Sequence, residues 1–106
     1  MTQVLLAIDT SSGTAVSVLI DGVVASELYE DNSMQHAEHI GVLLSKALDV
    51  AGKKSFEVTA VAVGVGPAPF TGLRVGIAAA KLFAEGVKVP IFGVSSLAAI
   101  GFAESL

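Results

Sequence analysis

The sequence contains no cysteine. Disulfide frameworks, zinc fingers, iron–sulfur ligation and cysteine nucleophiles are therefore excluded. Charge is also scarce, at 15% of residues, and ten acidic against six basic side chains leave a formal net charge of −4. That balance argues against strong nucleic-acid binding by this chain alone, because phosphate neutralisation needs clustered Lys and Arg. A long apolar run is missing too. The most apolar stretch, Val75 to Ala84, is broken by Lys81 and edged by Arg74 and Glu85, short of the roughly 20 residues that span a bilayer. No membrane span is expected. The opening Met1-Thr2-Gln3 lacks the positive region and cleavage site of a signal peptide, so Val4 to Ile8 reads as a buried strand and a cytoplasmic location is expected.

What remains is oily: 53% of the residues are hydrophobic and the mean hydropathy is +0.76. At 106 residues there is room for one domain, with roughly 65% of the unfolded-chain surface buried on folding. Val4 to Ile8 has the continuous apolar character of a central strand and ends at the turn formers Asp9 to Gly13. Thr14 to Ile20 is rich in β-branched residues, and Asp21-Gly22 supplies a hairpin dipeptide before Val23 to Tyr29. Three strands thus open the chain as an antiparallel meander. Asn32-Ser33 offer N-caps, and from Gln35 the residues Ile40, Leu44, Ala47, Leu48 and Ala51 recur at helical spacing until Gly52, with Val42 and Leu43 widening the stripe. Ala60 to Val63 is a second buried-type strand. A shaped Gly/Pro loop from Gly64 to Gly72 follows, then a helix from Thr71 to about Glu85 ended by Gly86, and a strand at Pro90 to Val94. Ser95-Ser96 caps a final helix through Leu97, Ile100 and Phe102. The order β-β-β-α-β-α-β-α makes a mixed five-stranded sheet with helices against it, an α/β fold of the ribonuclease H-like plan, which is also one lobe of the actin/Hsp70/sugar-kinase superfamily.

Asp9, Thr10 and Ser11 follow the first strand, where amides and hydroxyls hold a phosphate and a carboxylate faces a hydrated metal; the alternative is an ordinary polar turn. The loop fails both phosphate signatures, since Pro69 stands where the dinucleotide fingerprint needs its third glycine and no Gly-Lys-Ser/Thr occurs. Arg74, at the start of the second helix, is suited to an anion or a carboxylate; a purely structural strand-to-helix connection is the other reading. His36 and His39 sit at i, i+3 without an HExxH arrangement, and surface or interface histidines are the expectation rather than a metal site. Ser95-Ser96 lacks a nucleophile elbow. No catalytic or metal-ligating residue is assigned.

Leu6-Ala7-Ile8-Asp9-Thr10-Ser11, Gln35-His36, the run Gly64-Val65-Gly66-Pro67-Ala68-Pro69-Phe70-Thr71-Gly72-Leu73-Arg74-Val75-Gly76, and Val89 to Leu97 resemble, in order and spacing, the bacterial TsaB (YeaZ) family, across essentially the whole chain. The resemblance implies a part in making threonylcarbamoyladenosine, the modification of the tRNA adenosine beside the anticodon. It implies a non-catalytic subunit that binds and supports the TsaD transferase, with the ATPase TsaE joining and a homodimer forming when TsaD is absent. ATP and metal would belong to those partners, and members have carried the label of M22 glycoprotease homologues. Where TsaD-like sequences place two histidines with three residues between them after the fifth strand, this chain has Ser96 and Ile100. Ala68 and Pro69 depart from the family's usual Gly-Ser in the loop and should stiffen it. Family members continue into a second lobe, so residues 1–106 are expected to be a single N-terminal lobe. The resemblance also puts the TsaD and homodimer interface on the first two helices, where His36, Ile40, Leu43, Leu44, Val75 and Ala79 are the candidates. The competing readings are the nucleotide-binding lobe of an ATP-dependent kinase-like enzyme, motivated by Asp9-Thr10, and a metallopeptidase, resting on His36 and His39.

Overall fold

A computed structural model describes residues 2–10, 13–30, 37–66 and 70–94; of 37–39 and 70–72 the backbone alone is described. Ser11, His36 and the expected final helix lie outside the described residues. The described elements are β1 (Val4–Asp9), β2 (Thr14–Ile20), β3 (Val23–Glu30), α1 (Ala37–Ala51), a 3-10 turn (Ser55–Glu57), β4 (Ala60–Gly64), α2 (Phe70–Val87) and β5 (Ile91–Val94). The strands form one sheet in the order β3-β2-β1-β4-β5. β1 pairs antiparallel with β2 and parallel with β4, and β5 adds to β4 in parallel. β1 is thus the inner strand its apolar run predicts.

The hairpin turns where the dipeptide indicates. Asp21 and Gly22 both have positive φ, 51° and 82°, the requirement of a two-residue turn whose twist matches the strands. Asp21 also pins the chain start, its N–H donating to the Gln3 carbonyl and its Oδ1 accepting from the Gln3 N–H, each at 2.8 Å.

Alternation along the strands separates two faces. Val4, Leu6 and Ile8 of β1, Val16 and Val18 of β2, and Val61 and Val63 of β4 are buried together with Ile40, Leu43, Leu44, Ala47 and Leu48 of α1 and Ala80 and Ala84 of α2. α1 packs on β2 and β3, α2 on β4, β1 and β5, and the helices touch one another. Both therefore cover the same face. Ser26 ties α1 to the edge of the sheet, its buried hydroxyl donating to the Ala47 carbonyl at 2.8 Å. The opposite face presents Leu5, Leu19, Ala60, Ala62 and Phe92 along an open groove of about 860 Å³.

Each helix stops by the same backbone device. At the end of α1, Gly52 (φ 73°) donates to Asp49 and Lys53 to Leu48, the paired bonds of a Schellman motif around a left-handed residue. At the end of α2 that position is Lys88 (φ 58°), with Val89 N–H donating to the Ala84 carbonyl at 3.0 Å. The stop expected at Gly86 is corrected: α2 runs through Gly86 to Val87 and ends on a lysine.

Two stability changes follow. Leu6 is fully buried, so Leu6→Ala lowers the unfolding free energy by about 2–5 kcal/mol, seen as a lower urea midpoint. Lys88→Gly removes the left-handed penalty and raises stability by about 0.5–1 kcal/mol, measured as a higher melting temperature.

Candidate functional site

Two surfaces concentrate the features singled out in the sequence: the end of β1, and the groove between α1 and α2. At the first, successive residues diverge because strand side chains alternate. Asp9 shares the open face with Ala7 and, with Ala15, Ser17, Ala62 and Val94, lines a small cleft of about 40 Å³. Thr10 turns the other way and is buried, accepting a hydrogen bond from the Gly76 N–H at 3.2 Å.

Glycines on the neighbouring elements make room for both side chains. A Cβ at Gly64, at the end of β4, would stand 2.9 Å from the Asp9 carboxyl carbon, and one at Gly76 would meet Thr10 Oγ1 closer still and Thr10 Cγ2 at 2.9 Å. Any side chain at 64 would push Asp9 away, and any at 76 would lift α2 off the strand end. Across the hairpin, Thr14 is fully buried on the helix-facing side of β2, and its Oγ1 has no hydrogen-bond partner among the described residues. The strand end is therefore a fitted junction of carboxylate, hydroxyl and bare backbone, and of the expected phosphate-proximal set it holds Asp9 and Thr10. Among the described residues, no three His, Asp or Glu side chains group closely enough to hold a metal ion.

Arg74, exposed on α2, lines the second surface. That groove, about 650 Å³, runs between α1 and α2 and is walled by Gly41, Leu44, Arg74, Val75, Ala78, Ala79, Leu82 and Phe83. Leu82 is 72% exposed on one wall, and Val42, 65% exposed, stands next to Gly41 on α1. Gly41, Ala78 and Ala79 keep the floor shallow, so a helix laid across it would approach the backbone closely. The stripe Val75, Ala78, Ala79, Leu82, Phe83 has helical spacing and is legible in the sequence, of which the expected interface includes Val75 and Ala79.

On α1 the expected interface residues face inward. Ile40 is fully buried, and Leu43 and Leu44 are 8% and 7% exposed within this chain's own core. Their spacing marks the face that α1 turns to the sheet, which leaves Leu44 a marginal place in the groove wall and Ile40 none. Val75 and Ala79 are half-buried at the groove. His36 and the side chain of His39 lie outside the described residues.

A solved structure described as YeaZ from Pseudomonas aeruginosa superposes with a TM-score of 0.82 at 35% identity, covering 91% of this chain and 45% of that one. The architecture is thus ribonuclease H-like, the plan of a lobe in the actin/Hsp70/sugar-kinase superfamily. The family of TsaD, tRNA N6-adenosine threonylcarbamoyltransferase, matches residues 10–106. A tRNA threonylcarbamoyladenosine biosynthesis protein TsaB from Escherichia coli is 35% identical over 94 residues, 88% of this chain and 40% of that protein. An uncharacterised protein of Mycobacterium tuberculosis is 38% identical over 99 residues, 91% of this chain and 47% of its own length. The chain belongs to the TsaD family, and over about 90% of its length it is similar to the TsaB (YeaZ) proteins. It spans about half the length of the curated relatives it matches.

The Gly76–Thr10 contact makes a coupled prediction. Gly76→Ala destabilises by about 1–3 kcal/mol through overpacking, and Thr10→Ala in the same chain recovers much of that loss by clearing the space. Chemical denaturation of the two single variants and the double variant yields the coupling energy; strictly additive losses would show that the two residues do not press on each other.

Proposed function

We propose that the protein to which this lobe belongs acts in the synthesis of threonylcarbamoyladenosine in tRNA as a non-catalytic assembly subunit, and that it docks a TsaD-like transferase through the α1–α2 groove. The observation that carries the reading is the groove itself. Apart from Arg74 its walls are apolar, its floor is built of glycine and alanine, and Leu82 stands out from it largely exposed. Close backbone approach and burial of such side chains are what stabilise a helix-on-helix interface. The relative named as a threonylcarbamoyladenosine biosynthesis protein supports the pathway.

In this reading the same groove serves a homodimer when the transferase is absent, and a TsaE-like ATPase joins the assembly. Ser96 and Ile100, where the resemblance puts a pair of histidines in TsaD-like chains, support a subunit that holds no catalytic metal of its own, because neither side chain is a usual metal ligand. In this reading ATP and metal belong to the TsaD-like and TsaE-like partners. The absence of any helix long and apolar enough to cross a membrane, among the described residues, is compatible with a cytoplasmic site of action.

Two measurements test the proposal. Leu82→Glu, at an exposed position that leaves the core intact, weakens capture of a TsaD-like transferase at least tenfold, because the charge must be desolvated in the interface. Phe56→Ser in the 3-10 turn, also exposed, leaves capture unchanged; unaltered binding by the Leu82 variant would remove the groove from the interface. In calorimetry of this chain with Mg-ATP the expected result is no binding, and micromolar affinity would favour the kinase-like reading.

A further inference from the structure

We draw no further inference here: the strongest candidate, the apolar groove on the sheet face opposite α1 and α2, lined by Leu5, Leu19, Ala62 and Phe92, carries nothing because nothing in the structure shows what covers it.

Discussion

The close seating of α2 on the end of β1 is the contact on which the rest of the lobe depends. Gly76 brings its bare backbone within hydrogen-bond distance of the buried Thr10 hydroxyl, and Ala80 and Ala84 continue the approach one and two turns later. A helix of larger residues would ride higher on the sheet. Because α2 sits low, it stands beside α1 at a distance that leaves a shallow groove, walled by the side chains that neither helix turns to the sheet. Packing of the strand end and shape of the outer surface both depend on Gly76, Ala80 and Ala84.

The two helices use their apolar residues differently. α1 commits Ile40, Leu43, Leu44, Ala47 and Leu48 to the core, and the Ser26 hydroxyl fixes it to β3. α2 buries Leu73, Ala80 and Ala84, packs Val75, Ile77 and Phe83 half-covered against the core, and keeps Leu82 at the surface. Exposed large apolar side chains are individually unremarkable. Leu82 matters because it walls a mostly apolar groove, and a surface of that kind marks an interaction site more often than a random patch does.

Much of this was legible in the sequence. The five strands, the Asp21-Gly22 turn and the two described helices follow from local pattern, because turn dipeptides and apolar periodicity act over a few residues. The end of α2 was placed short, since glycine is the ordinary left-handed residue and here Lys88 takes that position, leaving Gly86 within the helix. The Asp9-Thr10 pair was recognised as a feature, but its division between two faces is a matter of strand parity, and the glycines that receive it come from distant elements. Which α1 residues reach the surface was not legible for a related reason. Periodicity shows that Ile40, Leu43 and Leu44 share a face, and it is silent on whether that face meets the chain's own sheet or another protein.

Whether the α1–α2 groove is the docking surface is directly measurable because these 106 residues contain no cysteine. With Ala78→Cys on the exposed floor of the groove and Phe56→Cys on the 3-10 turn, each the sole thiol of its variant, thiol-labelling rates are compared with and without a TsaD-like transferase. The account predicts that the partner slows labelling at position 78 at least tenfold and leaves position 56 unchanged. Binding that protects position 56 while position 78 labels at its free rate would contradict it.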